Sequence, residues 1–172
     1  APHALHAEKE AWWAETARVI SRCFGCDCPL VCCIDANDPL GASCSPAVGP
    51  VGANDQPYSS ELFHHFMLKF HLCAPSTFIE PVSGNGETWV SSNGAFRKRH
   101  DYVVVPQRWK LAVTSAFVDQ DIDLAIERED HAVACVVLDA SASVAPSSGH
   151  WVRRPYDRAL FEDPLRRETF LQ

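Results

Sequence analysis

The feature that most limits how this chain can fold is the run "AVACVVL", Ala132 to Leu138, entered directly from "EDH". Seven apolar residues rich in Val have the length of one buried strand and fall short of a core helix. Glu129, Asp130 and His131 therefore set two carboxylates and an imidazole at the mouth of the interior. Two other apolar runs carry the same mark. "LVCCI" is followed by Asp35 and Asn37, and "YVVV" is preceded by Asp101. Taken singly, each cluster reads as a turn, because Asp and Asn commonly start turns at strand ends. Taken together, they read as side chains that converge wherever three strands meet.

The rest of the pattern mixes helices and strands. From Glu8 to Phe24, Trp13, Ala17, Ile20 and Phe24 recur at helical spacing, and Gly25 and Pro29 stop the helix. A second helix is expected from Ser59 to Leu72, with Leu62, Phe63, Phe66, Met67 and Phe70 inward and His64, His65 and His71 as surface or partly buried residues. "LVCCI", apolar on both faces, predicts a strand covered on both sides. "CAPSTFI", "TWVSS" and "KLAVTSAFV" read as further strands, and Asn93-Gly94 as the turn of a hairpin within "TWVSSNGAFRKRHDYVVV". "DASASVAPSSGH" is a low-complexity linker before an Arg-rich tail. The expectation is an α/β fold, a mixed and mostly antiparallel sheet flanked by helices, over 1–140, with linker and tail over 141–172.

Charge and cysteine narrow the function classes. A net charge of −7 excludes a uniformly basic nucleic-acid binder, yet Arg97, Lys98 and Arg99 form a basic run and "VDQDIDLAIERED" an acidic one. No apolar run approaches the roughly 18 residues of a membrane span. The opening "APHALHAEKE" is too polar for a signal peptide and has no initiating Met, so a piece of a longer protein is expected. The eight Cys are read as reduced thiols in an intracellular setting, nuclear or cytoplasmic. Cys23 and Cys26 form one CxxC, for which zinc is the alternative, but no second pair follows at zinc spacing.

The residue types at the three strand ends suit phosphodiester hydrolysis. A carboxylate beside an imidazole fixes its tautomer and stabilises its cation. A second carboxylate can orient or deprotonate water, and an amide such as Asn37 can donate to developing phosphorane charge. Hard carboxylate oxygens favour Mg²⁺ or Mn²⁺. Asp35 and Asn37, two apart, would share one face of an extended segment.

In order and spacing, "LVCCIDAND", "ETWVSSNG", "RHDYVVVP" and "EDHAVACVVL" resemble the C-terminal half of the endonuclease/exonuclease/phosphatase superfamily. The resemblance is closest to the exonuclease III-like endonuclease domains of non-LTR retrotransposons. It covers the chain from about Glu8, "EAWWAE" and "RRPYDRALFEDP" included. It implies half of a four-layer α/β sandwich, with DNA as substrate and Mg²⁺ or Mn²⁺ as cofactor. By the same resemblance Asp35 orients the water, Asn37 contacts the phosphate, and Asp130 supports the metal or water site. The metal set would be Asp35, Asn37 and Asp130. His131 contacts phosphate or moves a proton, and Asp101 orients His131. Thr88 and Trp89 support the cleft floor, and Arg97, Lys98 and Arg99 approach the DNA backbone.

The chain departs from the family pattern at Ile34, where Gly is usual, and at His100, where an aliphatic residue is usual. The family's N-terminal half, with its strand-end Asn, metal-binding Glu and Tyr, has no counterpart before Asp35. The expectation is a nuclease fragment with little or no turnover as a lone chain. It would need the other half or a second copy of itself, and it would expose an apolar sheet face. The alternatives are a catalytically dead binding or scaffold module and a phosphatase of the same superfamily.

Overall fold

The computed structural model describes residues 6–23, 29–41, 43–52, 57–80, 86–122, 130–139 and 141. Helix α1 (His6–Cys23) and helix α2 (Tyr58–Lys69) lie against one sheet. Their contact is aromatic: the Trp13 ring stacks on Phe63 with centroids 5.4 Å apart and tilts on Phe66 at 4.9 Å. Ala17, small and buried, lets the helices approach. Lys69 falls in the last turn of α2, where a cation complements the helix dipole.

The strands are β1 (Cys32–Asp35), β2 (Leu72–Cys73), β3 (Trp89–Val90), β4 (Arg97–Lys98), β5 (Asp101–Pro106), β6 (Val113–Asp119) and β7 (Val133–Leu138). Every pairing among them is antiparallel. β5 is central in the order β1-β5-β2, while β3-β4 and β6-β7 form two-stranded ribbons. Side-chain alternation along β5 sends Tyr102 and Val104 into the core against the helices. Val103, between them, lines a shallow recess with Ala116, Val118, Ala134 and Val136 of the β6-β7 ribbon. The buried Tyr102 hydroxyl accepts from Leu40 N–H (2.7 Å) and donates to Arg99 O (2.9 Å). Burial pushes its pKa up to about 12.

The α/β class and the helix positions agree with the sequence reading; four local expectations do not. "CAPSTFI" is not a strand: after β2 the chain makes a 3₁₀ turn, Pro75–Thr77, closed by the Thr77 hydroxyl donating to Ala74 O (2.7 Å). The Asn93-Gly94 turn does close a hairpin, with Gly94 at φ 70 and its N–H on Ser91 O. Its return strand, however, is only Arg97–Lys98, and "YVVV" belongs to the other sheet. "LVCCI" is covered on one face only: Cys33 is exposed and Val31 is 46 % exposed, leaving an open apolar face among the described residues. His64 goes further inside than the surface or partly buried position expected: it is buried, its Nε2 2.6 Å from Ser45 Oγ, and burial lowers its pKa.

Residues 142–172 lie outside the described part, so the linker and tail expectation is not addressed by the structure. The same holds for Cys26, Cys28 and the Cys23 side chain. Cys32, Cys33, Cys44, Cys73 and Cys135 are free thiols. No described helix is long and apolar enough to cross a membrane.

Candidate active site

The site begins with strand register. β1 and β5 pair so that Asp35, the last residue of one, stands opposite Asp101, the first of the other. β7 lies outside that sheet, in the ribbon with β6. The entry to β7 is brought alongside by β3: Trp89 and His131 form an isolated antiparallel bridge. Val90 N–H donates to Asp130 O (2.9 Å) and Ala132 N–H to Thr88 O (2.7 Å). The result sets His131 Nδ1 2.8 Å from Asp101 Oδ2. One ligand atom each from Asp35, Asp101 and His131 lies within 4.8 Å of the others.

Thr88 is the joint of this arrangement. It is buried, and its Oγ1 accepts two backbone N–H groups, from His100 and Asp101, both at 2.9 Å. Its own N–H donates to Lys98 O (2.9 Å) while its carbonyl holds Ala132. One residue thus fixes the amide of Asp101 and the strand entry that carries His131. Trp89 beside it stacks on the buried His100 ring, centroids 5.0 Å apart and planes 18° from parallel.

Electrostatically, partial burial opposes a charged His131, but the hydrogen bond to Asp101 and the charges of Asp101, Asp35 and Asp130 outweigh it. The His131 pKa is raised above its ordinary value. His100 goes the other way, chiefly because burial disfavours its cation. Asn37 does not extend β1. It sits at φ 54 with its N–H on Asp35 Oδ1 (2.9 Å). The expectation that Asp35 and Asn37 share one face of an extended segment therefore fails, because the backbone turns at Asn37.

The ligand set fits a hard divalent cation in part. Asp35 and Asp101 offer oxygens of the kind Mg²⁺ or Mn²⁺ prefers, on a half-open surface that leaves room for water ligands. His131 Nδ1 is already taken up by Asp101. Among the described His, Cys, Asp and Glu residues the group gathered is Asp35, Asp101 and His131, which shares Asp35 with the expected metal set of Asp35, Asn37 and Asp130.

No protein-family model matches the sequence, and no curated protein matches it. Solved structures do match. The 3′-5′ exonuclease NExo from Neisseria meningitidis superposes with a TM-score of 0.53 at 20 % identity, covering 77 % of this chain and 54 % of that one. A variant of the 3′ phosphatase NExo from Neisseria, bound to product DNA hairpin, gives a TM-score of 0.51 at 21 % identity and the same coverage. The fold is the exonuclease/endonuclease/phosphatase-like one. This chain spans about half the length of the structures it matches, 54 % in each case.

On this exonuclease/endonuclease/phosphatase-like scaffold the basic run divides. Arg97 and Lys98 are exposed on β4. Arg99 is 5 % exposed and points inward, its guanidinium donating to Gly86 O (2.8 Å), Ser76 O (2.9 Å) and Val51 O (3.3 Å). Arg99 is therefore a clasp between three loops, not a group on the surface. Burial sets in where β4 ends, with Arg97 and Lys98 both exposed and Arg99 and His100 both buried, which "FRKRH" does not disclose by composition. Asp130 lies next to His131 and acts on it through charge. Trp89 is half-buried. The sequence reading missed the stacked His100 and the ties that Asp38 makes to both helices; cross-strand and inter-helix pairs leave no sequence signal.

Proposed function

We propose that this chain carries the C-terminal half of a phosphodiester-hydrolysing site that acts on DNA, of the retroelement endonuclease kind. The observation that carries the reading is the Asp101–His131 bond of 2.8 Å with Asp35 in the same cluster, built from three separate strand ends. Asp101 holds the imidazole in one tautomer and favours its cation, so the outward nitrogen of His131 is a donor to a phosphate oxygen. Asp35, steadied by the Asn37 amide, orients the attacking water. Asn37 is assigned to the scissile phosphate and Asp130 to the charge around His131. A Mg²⁺ or Mn²⁺ held by Asp35 and Asp101 would neutralise phosphate charge and assist the leaving oxygen. Arg97 and Lys98 would track the DNA backbone without reading its sequence.

The span of 54 % of the matched structures supports a site that draws its remaining ligands from the other half of the fold or from a second copy. The open face of β1 supports the same reading. Turnover by the lone chain is accordingly expected to be slight. A second reading, hydrolysis of a 3′-terminal phosphomonoester, is favoured by the DNA-bound neighbour, which is a 3′ phosphatase. A third, a DNA-binding module without catalysis, keeps Arg97 and Lys98 and makes the acidic cluster a relic.

Excess protein incubated with supercoiled plasmid in Mg²⁺, with EDTA and His131→Ala as controls, tests the proposal. Nicking that both controls abolish supports the endonuclease. Phosphate release from a 3′-phosphorylated oligonucleotide, without nicking, moves the assignment to the phosphatase. Neither activity from a folded chain that still binds DNA leaves the binding module.

A further inference from the structure

The candidate site stands on the turn that follows β1. Ala36 N–H donates to His100 O (2.8 Å) and Asn37 N–H to Asp35 Oδ1 (2.9 Å), with Asn37 at φ 54. Asn tolerates the left-handed region better than most residues with a side chain, so the backbone on either side decides whether it stays there. Beyond the turn the backbone is pinned again: Ser60 Oγ donates to Pro39 O (2.6 Å) and Leu40 N–H to the Tyr102 hydroxyl (2.7 Å). Asp38 stands between these two pinned stretches. Its carboxylate accepts the Ser59 hydroxyl from the first turn of α2 and lies 3.7 Å from Lys9 Nζ of α1.

We infer that Asp38 is a positioning residue for the site. By tying the residue after Asn37 to both helices, it holds Asn37 left-handed, keeps the Asn37 amide on Asp35, and so sets the Asp35 carboxylate that faces Asp101 and His131. Asp38 is not the cap of α2. The N-cap is Pro57, and no side chain caps it. Of its two partners, Ser59 matters more, because a part-exposed ammonium at 3.7 Å is screened by water. The structural half of this inference stands on geometry; its catalytic meaning rests on the function proposed above.

The test reads two quantities on the intact chain: hydrogen exchange at the Asn37 amide, and Mn²⁺ affinity followed by electron paramagnetic resonance. Asp38→Ala is expected to speed Asn37 exchange at least about tenfold while β5 amides keep their protection, and to weaken Mn²⁺ binding several-fold. Asp38→Asn, which still accepts from Ser59, should restore most of both, and Ser59→Ala should act like Asp38→Ala should the latter fail to fold. Unchanged Asn37 exchange in a folded Asp38→Ala chain overturns the inference. So does Mn²⁺ affinity that Asp38→Ala and Ser59→Ala leave at the wild-type value. A wild-type chain that binds no Mn²⁺ overturns the proposed function as well as this role.

Discussion

Replacing Thr88 by Val keeps the shape of the side chain and removes one oxygen. That oxygen accepts the His100 and Asp101 amides, each at 2.9 Å, in a residue only 2 % exposed. A buried N–H left without a partner costs about 1–3 kcal/mol. Two of them would total about 2–6 kcal/mol, and the methyl gained returns about 0.8 kcal/mol of burial. Some backbone relaxation lowers the sum further, so a loss of about 2–4 kcal/mol is expected. With a urea slope near 2 kcal/mol/M, the unfolding midpoint should fall by roughly 1–2 M. Thr88→Ser keeps the acceptor, loses one methyl, and should cost about 0.5–1.5 kcal/mol. Urea unfolding of the three chains followed by circular dichroism measures both numbers. A Val variant within about 0.5 kcal/mol of wild type would mean that the Thr88 oxygen does not sustain the two amides. A Ser variant as damaged as Val would mean the same, because the oxygen would then not be the cause.

Three further outcomes follow from the geometry. Folding raises the His131 pKa above its ordinary value of about 6.5, so the folded chain holds that proton more tightly than the unfolded one. The stabilisation is complete below about pH 6.5 and is lost as pH rises through the folded value; Asp101→Asn should flatten this part of a stability-versus-pH profile, and an unchanged slope would contradict the pairing. Arg99→Lys cannot reach the Gly86, Ser76 and Val51 carbonyls at once, so thermal unfolding should shift down by roughly 5–10 °C. Arg97→Ala and Lys98→Ala, on the exposed β4 ribbon, should leave stability within about 0.5 kcal/mol and instead weaken DNA binding with a reduced salt dependence.

What the sequence disclosed and what it hid separate along one physical line. Periodicity is local, so the inward residues of α2 (Phe63, Phe66 and Met67) and the apolar strands β5 and β7 were legible from spacing alone. Turn chemistry is local too, and Asn93-Gly94 stands where its residue types placed it. Asp35, Asp101 and His131 were legible as strand-end residues. How they meet was not legible, since pairing β3 to the entry of β7 is a contact between residues 42 apart in the chain, Trp89 and His131. Burial of a charge was equally hidden. Arg99 lies inside because three carbonyls from distant loops surround it, and nothing in "FRKRH" announces them. The same holds for His64, whose partner Ser45 lies in the segment between β1 and α2.

In the function proposed above, Asp35 and Asp101 hold one divalent cation beside the His131 imidazole. Titrating the isotopically labelled chain with Mn²⁺ and recording amide signals tests it most directly, because the ion broadens only what lies near it. Early broadening is expected at Asp35, Asp101 and His131, and Asp35→Ala should remove it. Broadening spread over the acidic surface, or untouched by Asp35→Ala, would contradict that placement of the cation.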